Sequence, residues 1–443
     1  MDKFVQKITR PVTLVWLRKE LRLADNAALY HALKEHDNVV LLYIFDKEEL
    51  SAKDDHEDAR VSFVYQSLEV MEKELACQKK GLWVTYGKPL SILEKLVQNN
   101  KVTALYINED YTPKSIAQEE AVAFLLHKYN KPALRRYKDR IIFGKNEILT
   151  NETLPYRIYT PYMKKWKATY TSSLSTPFPS ISLLDNLSSD QAPGWPTLQE
   201  MGFYPTKKNL PSRVITPSLL NSYEKNRNQL ALKGTSSLGV HLHFGTISIR
   251  QATQIAQQHS EAWLNQLIWR NFFIMILSHF PRVAEESFRP AYEKIAWLDD
   301  LEDFQAWCQG KTGYPLVDAG MRELNTTGLM HNRARMITAS FLTKSLLINW
   351  RWGEAYFAEK LLDYDLALNN GNWQWVAGCG CDAAPYFRIF NPMRQAERFD
   401  PEGMYIKKWI PEYHTPSYPK PIVEYTMARQ RALNSYRKAL REE

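Results

Sequence analysis

The sequence predicts an α/β domain with a doubly wound parallel sheet, followed by a second domain that is all helical. Over the first 145 residues, short apolar runs alternate with amphipathic stretches, as βαβ units require. After residue 220 the apolar residues recur with helical spacing, and no run resembles a strand. A chain of 443 residues, 44% of them hydrophobic, is long enough to form a core in each domain.

Five apolar runs are the strands predicted for the first domain. Amphipathic segments such as VSFVYQSLEVMEKELACQ separate these runs and are expected to be helices. The glycine fingerprint G-x-G-x-x-G is missing, which argues against a standard dinucleotide site in this half. The five runs are VTLVWL (12–17), VVLLYIF (39–45), GLWVTYG (81–87), TALYIN (103–108) and IIF (141–143).

A change of composition marks the boundary between the domains. From about residue 168 to residue 220 the chain is rich in Ser, Pro, Asn and Leu without a clear period, which indicates a long connector. Helical patterns then continue to about residue 380. We therefore expect an α/β domain over residues 1–145, a connector over 146–220 and a helical domain over 221–443.

Charge and composition limit the classes of function. The formal net charge is +8, and residues 201–443 hold 29 basic against 23 acidic residues, which suits a polyanionic partner. No run of eighteen apolar residues and no secretory signal is found, so we expect a cytoplasmic protein without a membrane span. Four cysteines, of which only Cys379 and Cys381 are close together, predict neither a disulfide framework nor a metal site.

Two polar clusters are candidates for ligand binding. Thr235, Ser236 and Ser237 in GTSSL are expected to open a helix, where backbone N–H groups suit a pyrophosphate; the alternative is a plain helix cap. Asp363 and Asp365 are two residues apart and cannot share one helical face, so at least one should meet a polar partner. An ordinary salt bridge between an aspartate and Arg335 is the alternative there.

KTGYPLVDAGMRELNTTGLMHNRARM occupies residues 311–336, and the segment 339–392 that follows it ends in NNGNWQWVAGCGCDAAPYFRIFNP. Together these two segments closely resemble the flavin-binding core of photolyases and cryptochromes. Three other segments also resemble parts of this family's sequences. They are WLRKELRLADNAAL (16–29), PYRIYTPYMKKW (155–166) and GTSSLGVHLHFGTIS (234–248). The sequence is identified as a member of this family, most similar to the cyclobutane pyrimidine dimer photolyases. The resemblance implies an α/β antenna domain and a helical FAD-binding domain.

The resemblance implies FAD, reduced in the active state, as the cofactor. Asp363 and Asp365 would hydrogen-bond the flavin ring and the ribose, Arg335 would pair with Asp363, and Asn369 would face the flavin N5. The chain departs from the family's usual TSRLS at Ser237 and Gly239, which removes one charge and one hydroxyl from the phosphate-binding segment. The cofactor-binding residues implied are Tyr223, Thr235, Ser236, Ser237, Leu238, Trp263, Arg270, Arg335, Asp363, Asp365 and Asn369.

Three tryptophans match the family's relay, which carries an electron inward to oxidised FAD. They are Trp297, Trp350 and Trp373. A single tryptophan on a helix is more often core packing, and only the three matches together favour a relay. We count these residues as catalytic, together with Asn369 and Gln266.

The implied reaction is the light-driven splitting of a cyclobutane pyrimidine dimer that has been turned out of the DNA stack. Trp269, Trp375 and Met336 resemble the residues that sandwich the dimer. Gln266, Asn332 and Arg333 occupy the polar positions, and Arg333 and Arg388 are candidates for flanking phosphates. DNA is thus the expected partner of a monomeric enzyme.

Two residues differ from those usual in dimer photolyases and leave alternative functions open. Dimer photolyases usually have a glutamate at Gln266 and a tryptophan at Leu329, and glutamine can supply neither charge nor proton. We therefore expect lesion binding to survive better than repair yield. One alternative is a cryptochrome, which senses light through the same flavin and repairs nothing; its usual C-terminal extension is not expected here.

The other alternative is a (6-4) photolyase, which carries two histidines four residues apart in the lesion pocket. Those positions are Asn332 and Met336 here. The nearby His331 is one position off, and on a helix it would point about 100° away. Neither an amide nor a thioether titrates near neutral pH, so the dimer is the expected lesion.

The antenna chromophore is not determined by the sequence. Where folate-binding relatives place an Asn-Glu pair, this chain has Lys114 and Ser115, which argues against a folate bound in that mode. A deazaflavin, a second flavin or an empty pocket remain open as alternatives.

Overall fold

The structure is a computed structural model, and it describes residues 7–190 and 192–441. Two compact units are present. The first comprises Met1–Gly144, Tyr170–Arg213 and Leu238–Ile255, and the second comprises Lys145–Thr169, Val214–Ser237 and Ala256–Glu443. This division differs from the predicted boundaries 1–145, 146–220 and 221–443, because the connector is shared between the two units and the segment around residue 245 belongs with the first.

The first unit contains the predicted parallel sheet. Its strands are β1 (Val12–Leu17), β2 (Val39–Asp46), β3 (Trp83–Gly87), β4 (Val102–Asn108) and β5 (Arg135–Tyr137). They lie in the order β3-β2-β1-β4-β5 with every neighbouring pair parallel, which confirms the doubly wound fold. The helices of this unit are α1 (Ala27–Glu35), α2 (Lys47–Ser51), α3 (Ala59–Ala76), α4 (Pro89–Gln98), α5 (Pro113–Lys128) and α9 (Gly239–His243), with 3-10 turns at Ser172–Ser175, Ser180–Asn186 and Gln199–Met201.

The fifth strand is not the one predicted. The apolar run 141–143 is buried but forms no strand, whereas the polar segment Arg135–Tyr137 pairs with β4. An apolar run indicates burial rather than backbone conformation. An edge strand with exposed Arg135 and Arg136 carries no apolar period by which it could be recognised.

The second unit is all helical, as predicted. A π-helical turn at Phe341–Ser345 continues helix α14, and 3-10 turns lie at Pro281–Ala284 and Pro290–Lys294. No helix in the described part of the chain is long and apolar enough to cross a membrane. The helices are α6 (Tyr159–Thr169), α7 (Pro217–Asn221), α8 (Tyr223–Asn226), α11 (Glu261–His279), α12 (Leu301–Gln309), α13 (Pro315–Thr327), α14 (Asn332–Ser340), α15 (Trp350–Lys360), α16 (Leu366–Ala377), α17 (Pro392–Phe399), α18 (Met404–Trp409) and α19 (Tyr425–Arg441). Helix α10 (Ile249–His259) contributes its residues up to Ile255 to the first unit and the rest to the second.

Two glycines allow helix α16 to approach its neighbours closely. A Cβ atom at Gly371 would lie 2.3 Å from the Phe273 ring of α11, and one at Gly353 of α15 would lie 2.2 Å from the Trp373 ring. Side chains at either position would therefore force α16 outward. Helix α16 is thereby held between α11 and α15.

A buried ion-pair network explains why residues 238–255 belong with the sheet. The Arg250 guanidinium donates to Asp25 at 2.7 Å and to Asp139 at 2.5 Å, and Arg22 also donates to Asp139 at 2.5 Å. The Asp139 side chain is fully buried. Burial raises the pKa of Asp139, but the Arg22 and Arg250 charges lower it more, so that the net pKa lies below its ordinary value. Sequence periodicity cannot reveal a contact between residues more than a hundred positions apart.

We predict that Asp139→Asn destabilises the first unit by about 3 kcal/mol, because it removes the carboxylate partner of the buried Arg22 and one of the two carboxylate partners of the buried Arg250. Urea unfolding followed by circular dichroism measures this loss. Since the folded-state pKa of Asp139 is lowered, its contribution should be complete above the unfolded-state pKa of about 3.9 and vanish as the pH falls toward the folded-state value.

The control is Glu48→Gln. Glu48 pairs with Lys88 at 2.5 Å, but both side chains are more than half exposed, so no measurable change is expected. Equal unfolding midpoints for the two variants would contradict the importance of the network.

Candidate functional site

The two aspartates singled out in the sequence have separate structural roles. Arg335 of α14 contacts both carboxylate oxygens of Asp363 at 3.0 Å, which confirms the predicted polar partner. The two side chains are 27% and 16% exposed, so the pair is not an ordinary surface salt bridge. Asp365 is the N-cap of α16 and accepts hydrogen bonds from the Ala367 and Leu368 backbone N–H groups. Asp363 therefore presents a carboxylate held by a cation, and Asp365 starts the helix.

Asn369 is held by a residue that the sequence did not reveal. Its amide nitrogen donates to the Glu354 carbonyl at 3.1 Å and to the Glu354 carboxyl group at 2.9 Å. Its oxygen accepts no hydrogen bond from the described residues, so it can accept one from a ligand. Burial raises the pKa of Glu354, and the bond from Asn369 partly offsets this rise. Glu354 lies on α15, fifteen positions before Asn369, where no local spacing could signal the contact.

The hydroxyl residues of GTSSL precede a helix rather than opening it. Helix α9 has Leu238, which is buried, as its N-cap, and no side chain caps it. The plain capping interpretation is therefore wrong. Ser237 has a φ of +52°, an uncommon conformation for a residue with a side chain. Ser236 Oγ accepts a hydrogen bond from Trp263 Nε1 at 3.3 Å, which joins two predicted cofactor-binding residues.

Two further predicted cofactor-binding residues, Tyr223 and Arg270, are almost fully buried. The Arg227 guanidinium lies over the Tyr223 ring at 5.5 Å, and its Nη2 atom makes a long contact of 3.5 Å with Gln266 Oε1. The Gln266 amide nitrogen donates to the Ala262 carbonyl of its own helix. Sequence reasoning missed Arg227, which forms a bridge between a cofactor candidate and a lesion candidate.

Arginine side chains gather beside the predicted lesion residues. Arg333 donates to Asn228 at 2.7 Å, and its guanidinium lies 4.4 Å from the Phe399 ring centroid. Burial lowers the pKa of Arg333, and the charges of Arg227 and Arg398 add to this effect. Three guanidinium groups close enough to influence each other favour an anionic partner such as a phosphate chain.

The remaining lesion candidates lie on three helices and on the segment that follows α16. Trp269 of α11, Trp375 of α16 and Met336 of α14 are half-buried, so part of each side chain can meet a ligand. Arg333 Nη1 lies 3.7 Å from the Met336 sulfur. Asn332 and Arg388 are exposed.

His331 is not on a helix, contrary to the prediction. It is the N-cap of α14, and its Nδ1 atom accepts a hydrogen bond from the Arg333 backbone N–H at 3.1 Å. The proton of the neutral ring is therefore on Nε2. Burial lowers the pKa of His331 to about 4, and the charges of Arg335 and Arg333 favour the same direction. The imidazole is uncharged near neutral pH and cannot act there as a general acid.

The three relay tryptophans belong to one hydrophobic cluster. Trp350 and Trp373 are buried, and Trp297 is half-buried and lies 6.0 Å from the Tyr436 ring. Trp373 has another aromatic neighbour, Trp307, at 6.1 Å. Trp307 is fully buried and was not predicted as a functional residue.

In the first unit, Ser115 is used for local structure. Its backbone N–H donates to Thr112, the N-cap of α5, and its hydroxyl donates to Asp110 at 2.8 Å. Lys114 is exposed. Among the residues that the structure describes, no group of three or more His, Cys, Asp or Glu side chains is arranged to hold a metal ion.

Comparison with known families covers both units. Residues 263–416 match the FAD-binding domain of DNA photolyase, and residues 13–182 match the DNA photolyase family. A deoxyribodipyrimidine photo-lyase of Halobacterium salinarum is 34% identical, over 97% of this chain and 100% of the relative. The enzyme of that name from Escherichia coli is also 34% identical, over 96% of this chain and 98% of the relative.

Solved structures give the same result. A bacterial class III photolyase from Agrobacterium tumefaciens has a TM-score of 0.84 at 32% identity and covers 97% of this chain and 98% of its own. A photolyase from Sulfolobus tokodaii with two FAD molecules has a TM-score of 0.79 at 31% identity, over 96% and 100%. A cryptochrome from Synechocystis has a TM-score of 0.81 at 25% identity, over 96% and 99%. With relatives of this identity along nearly its whole length, the chain belongs to the photolyase/cryptochrome family.

Proposed function

We propose that this protein binds FAD and uses light to split cyclobutane pyrimidine dimers in DNA. The observation that carries the proposal is the orientation of Asn369. Its nitrogen is committed to Glu354, so only its oxygen remains for a ligand. A hydrogen-bond acceptor at that point suits a protonated flavin N5 and therefore the reduced cofactor. The curated relatives named deoxyribodipyrimidine photo-lyase support the same activity.

The donor set fits FAD at several other points. Asp363, held by Arg335, offers carboxylate oxygens to the N–H groups of an isoalloxazine ring. Thr235, Ser236 and Ser237 offer hydroxyl groups and backbone N–H groups to a pyrophosphate. FAD, when bound and reduced, supplies the electron that light drives into the lesion.

The chain's own residues bind and orient the substrate. Trp269 and Trp375 offer aromatic faces to the extruded bases, and Gln266 and Asn332 offer amide groups to their carbonyls. Arg227, Arg333 and Arg388 provide positive charge for the flanking phosphates. Trp373, Trp350 and Trp297 would return oxidised FAD to the reduced state by passing an electron inward.

The lesion assignment rests on the groups that are able to move a proton. Repair of a (6-4) product transfers a hydroxyl group between bases, which needs a titratable acid. Asn332 and Met336 cannot titrate, and His331 is neutral with its Nδ1 atom committed to the backbone. The dimer, which needs no such acid, is therefore the better substrate.

A blue-light sensor without repair activity is the second candidate. The cryptochrome from Synechocystis among the structural neighbours favours it. The neutral Gln266 is instead the one residue that favours a (6-4) photolyase, in which glutamine is usual at this position. The four cysteines are unpaired, which fits a reducing compartment, and we place the protein in the cytoplasm for that reason.

We also propose a second chromophore, since the Sulfolobus tokodaii neighbour holds two FAD molecules and its second FAD is described as light-harvesting.

We predict that Asp363→Ala lowers the affinity for FAD about tenfold or more, because it removes a charged hydrogen-bond acceptor and leaves Arg335 unpaired. The flavin absorbance of the purified protein measures this loss. Glu286→Ala is the control, since Glu286 is an exposed carboxylate paired with Arg282. Full FAD content in Asp363→Ala would show that the cofactor lies elsewhere.

We predict that Trp373→Phe abolishes photoreduction of oxidised FAD, while chemically reduced protein still repairs DNA. Phenylalanine keeps most of the packing but is much harder to oxidise. Trp350→Phe should also block photoreduction, and Trp307→Phe should not, although both Trp350 and Trp307 are buried in the cluster that contains Trp373. If Trp307→Phe lost photoreduction and the other two variants kept it, the relay would instead run through Trp307.

We predict that the reduced protein repairs the dimer faster than the (6-4) product when both are offered in identical oligonucleotides under blue light. Gln266→Glu should raise dimer repair about tenfold, the size of one hydrogen bond to a charged group. Faster repair of the (6-4) product would overturn the lesion assignment. Repair of neither lesion, with FAD bound, would favour the light sensor.

A further inference from the structure

Tyr159, the first residue of helix α6, is fixed at three points. Its ring stacks on the Trp269 ring, with centroids 3.5 Å apart and planes 8° from parallel. Its hydroxyl donates to the Asn265 carbonyl at 2.9 Å, and its backbone N–H donates to Asp382 Oδ2 at 3.0 Å. The residue is 7% exposed. A ring held in this way has almost no freedom to tilt or slide.

Three aromatic rings contact the Trp269 indole. Tyr159 covers one face of the indole, Phe272 meets it edge-on at 5.7 Å, and the Phe273 ring lies at 5.4 Å with its plane 28° from parallel. The indole nitrogen makes no hydrogen bond within the described part of the chain. Aromatic packing alone therefore holds the ring, and Tyr159 occupies one of its two faces.

The same residue is connected to the other aromatic wall. Asp382 accepts from the Tyr159 backbone and lies in the segment that follows α16, with a φ of +46° that a non-glycine residue rarely adopts. Two positions later, the Ala384 N–H donates to the Trp375 carbonyl at 3.3 Å. A short path thus leads from the Trp269 ring through Tyr159 and the segment 382–384 to the backbone of Trp375.

We propose that Tyr159 is a positioning residue that fixes Trp269 and its spacing from Trp375, and so sets the width of the slot that receives the extruded dinucleotide. This inference rests on the proposed function, since it assumes that Trp269 and Trp375 are the walls of the lesion pocket. Asp382 contributes to this positioning, because its carboxylate accepts the Tyr159 backbone N–H and so anchors Tyr159 to the segment that follows Trp375. Preorganised walls spare the complex the cost of ordering them on binding.

The test measures repair kinetics with a dimer-bearing oligonucleotide on the reduced holoprotein. Tyr159→Leu should raise KM about three- to tenfold, the range expected for the loss of one aromatic stack. The kcat value and the FAD content should stay within about twofold, because the change is confined to the contacts of Tyr159 with Asn265 and Trp269. The FAD content reports directly whether the neighbouring cofactor candidates on α11, Trp263 and Arg270, are disturbed. Tyr159→Phe keeps the stack and should restore most of the affinity, and Tyr204→Leu, at an exposed tyrosine, serves as the control.

A double-mutant cycle tests the link to Asp382. Asp382→Ala should also raise KM, and combining it with Tyr159→Leu should cost less than the two single effects together, because both act through one contact. A KM for Tyr159→Leu equal to the wild-type value, or a Tyr159→Phe variant as impaired as Tyr159→Leu, would overturn the proposal.

The crystal structure of Tyr159→Leu separates this inference from the proposed function. If the wild-type protein bound neither lesion, the proposed function would have failed, and the Trp269 conformation in that crystal would still decide the positioning role. A displaced or multiply oriented indole supports the role, and an unchanged indole excludes it.

Discussion

The start of helix α16 is the constraint on which the functional half of this protein depends. Asp365 caps the helix through the Ala367 and Leu368 N–H groups, and its end is closed by Gly378 at a φ of +93°. Between these points lie Asn369 and Trp373, four residues apart on one face, and Trp375, which is on another. One helix therefore orients the proposed flavin contact Asn369, the proposed relay residue Trp373 and the proposed lesion-pocket residue Trp375. A shift of one residue at the cap would rotate all three by about 100°.

Burial decides the chemistry of the polar groups around that helix. The pKa of Glu354 is raised by burial, and its contacts hold the Asn369 nitrogen so that the oxygen is left for a ligand. His331 is neutral because burial and neighbouring guanidinium groups disfavour a second proton, and its Nδ1 atom is used as a helix cap. Two features support the proposal that the dimer is the substrate: Asn332 and Met336 have no titratable group, and the environment of His331 keeps its imidazole neutral.

The two units are stabilised in different ways. The sheet of the first unit is covered on both sides by hydrophobic clusters, yet its ion pairs among Arg22, Asp25, Asp139 and Arg250 are also buried. Such a network is strongly destabilised when one partner is lost, so it specifies one arrangement of segments more than it adds stability. The second unit relies on close helix approaches at Gly353 and Gly371 and on a single large cluster of aromatic and aliphatic side chains.

The sequence by itself determined the fold class, four of the five strands, the helical second unit and the family, because hydrophobic periodicity and dense local motifs are properties of neighbouring residues. It also indicated the contact between Arg335 and Asp363, which the family pattern contains. Only the tertiary structure showed that Glu354 holds Asn369, that Arg227 reaches Gln266, that Tyr159 backs Trp269 and that Arg250 ties residues 238–255 to the sheet. Each of these contacts joins residues between fifteen and more than two hundred positions apart, and such distances leave no periodic trace in a sequence. The same holds for β5, whose conformation is fixed by pairing with β4. At His331 the deciding contact is local, since its ring accepts a hydrogen bond from the Arg333 backbone N–H and so caps α14.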